Sequence, residues 1–183
     1  DLVKLNNERK TLTETAFNKT IEIINENSYD KDDVIVVYAP DINESICGIV
    51  AGRVKEKYYR PTIILTNAKE TGFAKGSGRS ITTYNMYDKI SPYNDKLQSF
   101  GGHPMACGLS INIDKIDDFR NFLNNNSNLS KKDKEKSINI DAQIPISKLS
   151  LEFAESLNKF KPFGKDNSRP VFANKDVEIA AIS

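Results

Sequence analysis

Residues 33–66 read DVIVVYAPDINESICGIVAGRVKEKYYRPTIILT and decide the fold class. Residues 33–39 are apolar and rich in β-branched side chains, which predicts a buried strand. From residue 45 to residue 58, apolar residues recur at helical spacing beside small ones, which predicts a helix packed closely on a sheet. Residues 62–66 predict a second buried strand. A strand, a helix and a strand at this spacing indicate a βαβ unit with two parallel strands.

The rest of the chain extends this unit into an α/β fold. We expect a mixed, largely parallel sheet with flanking helices, and a long amphipathic connector helix over residues 2–27. The polar stretch NNNSNLSKKDKEK, residues 124–136, has the composition of an exposed linker, and a partial β segment follows it. Further elements are expected as helices at 85–90, 114–124 and 149–158 and as strands at 106–113, 138–144 and 171–173.

The charge balance excludes a strong overall field for polyanions. Lysine and arginine number 26 against 25 for aspartate and glutamate, so any affinity for nucleic acid must be local. Residues 53–79 supply such a local excess of basic side chains. This segment is therefore the first place to look for an anion site.

Two cysteines and the absence of long apolar runs bear on localisation. Cys47 and Cys107 lie among small apolar neighbours, which is typical of buried free thiols in a reducing compartment. No run of apolar residues reaches membrane-spanning length. We therefore expect a cytoplasmic protein with no membrane partner. The chain has no initiator methionine and stops at residues 179–183 in what reads as a strand, so we expect a fragment of a longer protein.

The stretch KGSGRS, residues 75–80, is a candidate phosphate site. Glycines beside a serine allow backbone N–H groups to converge on an anion, and Ser77, Gly78 and Ser80 would contribute to this. Arg79 adds a planar fork suited to phosphate. The alternative is a flexible hairpin loop. Arg53 either stabilises the C-terminal half of its helix, which we favour from local sequence, or turns toward a groove shared with Arg79.

The stretch SFGGHPMACGLSI, residues 99–111, contains the single histidine of the chain. Gly101 and Gly102 would let the backbone approach a ligand, and His103 could donate a hydrogen bond to a phosphate there. The alternative is a tight turn with a surface histidine. One histidine without clustered carboxylates does not form a two-metal site, so no metal ligand is expected in this chain.

Taken together, four stretches resemble the RecJ family of single-strand-specific DNA exonucleases. The stretches CGIVAGRVKEKYYRPTIIL (47–65), KGSGRSI (75–81) and FGGHPMACGLSI (100–111) are similar to its DHH-associated domain. The stretch KPFGKDNSRPVF (161–172) is similar to the segment that leads into its oligonucleotide-binding barrel.

The resemblance implies an intact enzyme that cleaves single-stranded DNA from the 5′ end. Mn²⁺ or Mg²⁺ would be bound by a DHH domain outside this chain, so this fragment alone is expected to be inactive and to hold no cofactor. The resemblance also implies phosphate contacts from Ser77, Arg79, Gly101, Gly102 and His103, with His103 facing the metal site. It also implies a contact from Arg53 in the same phosphate-facing groove.

Four segments and two alternative functions complete these expectations. The segments are a connector helix (1–28), a DHH-associated domain (29–125), a linker (126–137) and the start of an oligonucleotide-binding barrel (138–183). The first alternative is a DHH-type phosphodiesterase acting on short oligonucleotides or cyclic dinucleotides. The second is a non-enzymatic nucleic-acid-binding module.

Overall fold

A five-stranded mixed sheet forms the centre of the computed structural model, which describes residues 2–164 and 166–178. The chain divides into two compact units, Asp1–Glu135 and Lys136–Ser183. In the first unit the strands lie in the order β1-β2-β3-β5-β4. Their bounds are Ile35–Tyr38 (β1), Thr62–Asn67 (β2), Phe73–Arg79 (β3), Ser99–His103 (β4) and Ala106–Asn112 (β5).

The mixed α/β class is confirmed, but the expectation of a largely parallel sheet is wrong. β1 and β2 form the parallel pair of the βαβ unit. The other three pairs of the sheet are antiparallel. The reason is the length of the connections, because a parallel crossover needs a dozen or more residues. The chain returns from β2 to β3 through 68–72, and from β4 to β5 through Pro104 and Met105.

Helices cover both faces of the sheet. The long helix α1 (Leu2–Glu26), close to its predicted bounds, and α2 (Cys47–Tyr58) pack on one face, and α3 (Met86–Ile90) and α4 (Ile116–Asn125) lie on the other. The alternation of strand side chains separates the two cores. The α2 side buries Ile35, Val37 and Ile64, and the α4 side buries Val36, Ile63 and Leu65.

Residues 127–134, predicted as part of an exposed linker, are anchored to the first unit. The Ser127 hydroxyl donates to Asp33 Oδ2 at 2.6 Å, and Lys134 forms an ion pair with the same carboxylate. The Thr83 hydroxyl donates to the carbonyl oxygen of Asp133 at 3.1 Å. The segment is therefore polar in composition but fixed at three points.

The second unit contains short elements. Strands β6 (Ala142–Gln143) and β7 (Phe172–Ala173) pair in parallel, and α5 spans Leu151–Ser156. The rings of Phe153 and Phe172 pack edge to face with centroids 5.5 Å apart. All three elements lie inside longer predicted ones. The strand expected at 179–183 lies outside the described residues.

Candidate functional site

His103 and Arg79 lie in one cross-strand row of the sheet. His103 pairs with Ala106, and Ala106 pairs with Arg79, in two antiparallel ladders. Residues directly opposite each other on antiparallel strands place their side chains on the same face. Neighbouring strands are about 4.8 Å apart, so the Cα atoms of His103 and Arg79 are separated by about 10 Å. The two stretches singled out in the sequence therefore meet on one face.

The next row on this face consists of Gly101, Gly108 and Ser77, paired in that order. Apart from chain neighbours, no described atom lies within 4 Å of the position of a Cβ at Gly101, and at Gly108 the nearest is Gly76 O at 3.9 Å. The two glycines therefore form an exposed strip of backbone. We call this surface the open face; its residues are Arg79, Ser77, Gly108, Gly101 and His103.

The guanidinium of Arg79 lies against the N-terminal part of α2. A Cβ at Gly48 would be 2.7 Å from Arg79 Nη2, so the space exists because residue 48 has no side chain. Nη1 donates to Gly78 O at 2.8 Å. Within residues 2–164 and 166–178, no carboxylate forms an ion pair with Arg79. Its charge is therefore available to an external anion, and its planar fork suits phosphate.

His103 is exposed and held by its own turn. Its Nδ1 accepts a hydrogen bond from the backbone N–H of Met105 at 3.3 Å. In the neutral imidazole, an accepting Nδ1 leaves the proton on Nε2. His103 therefore presents an N–H donor, which suits a phosphate oxygen.

The two serines of the GSGRS stretch have different surroundings. Ser77 is half-buried on the open face, and its hydroxyl has no hydrogen-bond partner among the described residues. Ser80 is buried, with 1% of its surface exposed, and its hydroxyl donates to Tyr84 O at 2.6 Å. Ser77 can therefore donate to a ligand. The expectation that Ser80 binds phosphate is wrong, because its hydroxyl is occupied inside the core.

The expected nest of backbone N–H groups at 75–80 is also wrong. Most of this stretch is the central strand β3, which pairs with β2 on one side and β5 on the other. Gly78 is buried, and a Cβ there would be 2.5 Å from Met86 Sδ and 2.7 Å from Cys107 Sγ. Gly78 thus allows close packing and is not a phosphate ligand.

Gly101 and Gly102 also have separate roles. They lie within β4, and the turn of the hairpin falls at Pro104 and Met105, so the alternative of a tight turn at the paired glycines is wrong. A Cβ at Gly102 would be 2.4 Å from Ala106 O. Gly102 therefore allows close approach of β4 and β5, whereas Gly101 belongs to the open face.

Arg53 is held by side chains of α1. Its Nη1 donates to Glu14 Oε2 at 2.8 Å, and its guanidinium lies over the Phe17 ring, 4.2 Å from the centroid. Both partners belong to α1, so Arg53 fastens α1 to α2. The expected groove contact is wrong, and so is the helix-terminal role, because the last turn of α2 carries Lys55 and Lys57 as its basic residues.

Sequence reasoning missed Lys75, which continues the line of Arg79 and Ser77 along β3. Lys75 is exposed and pairs with Ser110 across the ladder, and its Nζ is 3.6 Å from Glu44 Oε1. The alternation of residues 75, 77 and 79 was the available signal, because side chains of a strand point to one face at every second position. Lys75 therefore adds a second cationic side chain beside the open face.

The donor set of the described residues does not suit a resident metal ion. Within 2–164 and 166–178, no three or more His, Cys, Asp or Glu side chains converge as metal ligands. Cys47 and Cys107 are free and buried, as expected, and burial raises the pKa of each thiol to about 11. Both thiols are therefore protonated near neutral pH and poor ligands.

The family comparison covers the whole sheet and the open face. The profile of the DHHA1 domain matches residues 31–128. The chain belongs to the DHHA1 family. The open face therefore lies within the DHHA1 domain, and the profile of the RecJ OB domain matches the following residues 140–183.

Relatives of this DHHA1 chain are named single-stranded-DNA-specific exonuclease RecJ. The chain is 31% identical over 172 residues to the protein of Bacillus subtilis, covering 93% of this chain and 22% of that protein. It is 33% identical over 144 residues to that of Haemophilus influenzae, covering 75% and 25%. The resemblance to RecJ is thus confirmed, and the chain spans about a quarter or less of these relatives.

A solved structure shares the fold. The crystal structure of Thermus thermophilus RecJ in complex with Mn²⁺ aligns with a TM-score of 0.81 at 24% identity, covering 94% of this chain and 25% of that one. At this identity the comparison supports the fold of the DHHA1 chain and no residue role. Among the described residues, no helix is long and apolar enough to cross a membrane.

Proposed function

We propose that this chain is the substrate-binding part of a single-stranded-DNA-specific 5′-to-3′ exonuclease. The observation that carries the proposal is the open face. Among the described residues, it combines a guanidinium without an ion pair, a hydroxyl without a hydrogen-bond partner and an imidazole N–H with exposed glycine backbone. These groups are the donors that nucleic-acid phosphates accept.

Each residue of the open face has a defined task. Arg79 binds a phosphate through two parallel N–H donors, and Ser77 donates from the same strand. Gly101 and Gly108 let the sugar-phosphate backbone approach without a side chain between. His103 donates from Nε2 to the phosphate nearest the catalytic centre and acts there as a supporting catalytic residue.

The catalytic metal ions belong to a DHH domain of the intact protein. RecJ structures that share this fold were solved with Mn²⁺ and with Mg²⁺, and within 2–164 and 166–178 no donor set fits either ion. Divalent ions on the facing domain would activate water and neutralise phosphate charge. This chain orients the strand, so we expect no nuclease activity from it alone with Mn²⁺.

Two further observations support the choice of activity and location. The match of residues 140–183 to the RecJ OB domain favours the exonuclease over the smaller phosphodiesterases and over a module without catalytic function. The free buried thiols fit a reducing compartment, and we place the protein in the cytoplasm. The four segments 1–28, 29–125, 126–137 and 138–183 remain our proposed domain division.

Fluorescence anisotropy with a labelled single-stranded oligonucleotide tests the proposal. We expect weak binding that falls with salt, and Arg79→Ala should reduce the affinity about tenfold and lower the salt slope by about one. Arg53→Ala is the matched control, because its guanidinium is held by α1, and it should bind as the wild type does. Equal affinities of wild type and Arg79→Ala at low salt would refute the proposal.

A further inference from the structure

A partly exposed aromatic pair lies at the edge of the sheet, on the side opposite the open face. The rings of Tyr87 in α3 and Phe100 in β4 stack with centroids 5.4 Å apart and an angle of 23° between planes. Phe100 is half-buried against the core, whereas Tyr87 is 43% exposed. Tyr87 therefore stacks on Phe100 and still offers ring surface to solvent.

The position of Tyr87 is fixed to the turn that holds His103. The backbone N–H of Met86, the preceding residue, donates to Pro104 O at 3.0 Å. The carbonyl of Tyr87 accepts from the Ser91 hydroxyl at 2.7 Å. Pro104 directly follows His103, so α3 is hydrogen-bonded to the turn that carries His103.

Phe100 of the aromatic pair and Gly101 of the open face lie on opposite sides of the same strand, β4. Phe100 and Gly101 are adjacent in β4, and successive residues of a strand face opposite sides. β4 is the last strand in the sheet order, so among the described residues no strand pairs with its outer side. A nucleotide whose phosphate lies at Gly101 can therefore carry its base, or that of its neighbour, around this edge.

We propose that Tyr87 is a stacking platform for one nucleobase of single-stranded DNA. The proposal rests on the proposed function, because the phosphates on the open face bring the base to this edge. Aromatic rings beside a cationic backbone site are how sequence-tolerant proteins hold single strands, since every base has a π face. The support of Phe100 keeps the Tyr87 ring in a defined orientation before DNA arrives.

The chain has no tryptophan, so Tyr87→Trp introduces a single indole as a local probe. Saturation with an oligothymidine should quench the indole emission, whereas an abasic oligonucleotide of equal length should leave it unchanged. Tyr38→Trp, on the opposite edge strand, is the control and should show no quenching with either.

Affinity measurements complete the test. Tyr87→Ala should weaken oligothymidine binding about tenfold and abasic binding less than twofold. Tyr87→Phe keeps the ring and should stay within twofold of wild type for both. Unchanged indole emission at saturating DNA, or equal losses for both oligonucleotides, would overturn the platform. If Arg79→Ala still weakens both, the proposed function stands; if neither oligonucleotide binds the wild type, both proposals fail.

Discussion

The guanidinium of Arg79 occupies the space that a side chain at Gly48 would fill, with Nη2 2.7 Å from the position of the Cβ. Gly48 of α2 thus determines the position of the Arg79 guanidinium on the open face. Because the conflict involves the far end of a flexible side chain, the fold can accept a methyl group here while the guanidinium moves.

Gly48→Ala should therefore reduce DNA affinity without unfolding the chain. We expect a loss of three- to tenfold, since one charge-assisted phosphate contact is worth about 1 kcal/mol or more. Gly52→Ala is the matched control, because, apart from its chain neighbours and the backbone of its own helix, no described atom lies within 4 Å of its Cβ position. Thermal unfolding and anisotropy on both variants give the answer. A parallel change of affinity in the two would argue against the role of Gly48.

The βαβ segment could be predicted from sequence because local patterns fix it. The apolar strands 35–38 and 62–67 are buried on both faces, and the helix between them shows its period directly. β3 could not be recognised as a strand in the same way. Gly76 and Gly78 read as loop residues, although a Cβ at Gly76 would be 1.9 Å from Ile64 O. Close packing between strands, which has no local signature, requires them.

Side-chain partners that come from distant parts of the chain explain the remaining errors. Sequence alone does not distinguish Arg53 from Arg79. Glu14 and Phe17 of α1 hold Arg53, whereas Arg79 forms no ion pair in the part of the chain that the structure describes. Ser80 differs from Ser77 because it follows the end of β3 at Arg79, and its hydroxyl donates to the buried carbonyl oxygen of Tyr84. The sequence shows which residue types are present, whereas tertiary contacts determine which of their side chains are free to bind a ligand.

Substitution of Ser77 should affect DNA binding, whereas substitution of Ser80 should affect stability. Ser77→Ala removes a free donor from the open face, so we expect two- to fivefold weaker DNA binding and unchanged stability. Ser80→Ala leaves the buried carbonyl of Tyr84 without a donor, which should cost about 1–3 kcal/mol of unfolding free energy. Urea unfolding and anisotropy on both proteins distinguish the roles, and the reverse assignment would disprove them.

Substitution of Gly102 should affect stability, whereas substitution of Gly101 should affect DNA binding. A side chain at Gly102 meets the backbone of Ala106, which cannot move aside easily, so Gly102→Ala should destabilise the chain by about 1–3 kcal/mol. Gly101→Ala meets nothing and should leave the melting temperature unchanged, yet its methyl group would stand on the open face and weaken DNA binding. If Gly101→Ala binds DNA normally, the backbone does not approach the phosphate there.

Acid should weaken the anchor of residues 127–134. Burial raises the pKa of Asp33, but the hydrogen bonds from Lys134 and Ser127 together lower it by more. The net pKa therefore lies below 3.8. The contribution of this carboxylate is therefore complete above about pH 4 and is lost as the pH falls through the folded-state pKa.

Asp33→Asn should lower the unfolding free energy near pH 7 by about 1–2 kcal/mol and flatten its decline below about pH 4. Urea titrations across this range measure both effects. Asp95→Asn provides the comparison, because Asp95 forms no ion pair among the described residues. Identical acid profiles for wild type and Asp33→Asn would show that ionisation of the Asp33 carboxyl group contributes nothing to stability.

His103 should affect cleavage more than binding in the intact enzyme. Its Nε2–H is one donor among several, so His103→Ala should change DNA affinity less than threefold. A donor placed where charge develops in the transition state is worth far more, and we expect cleavage under single-turnover conditions to slow by about 10²-fold. His103→Gln restores an N–H donor and should recover part of the rate. A large loss of affinity at a nearly normal cleavage rate would instead make His103 a simple phosphate anchor.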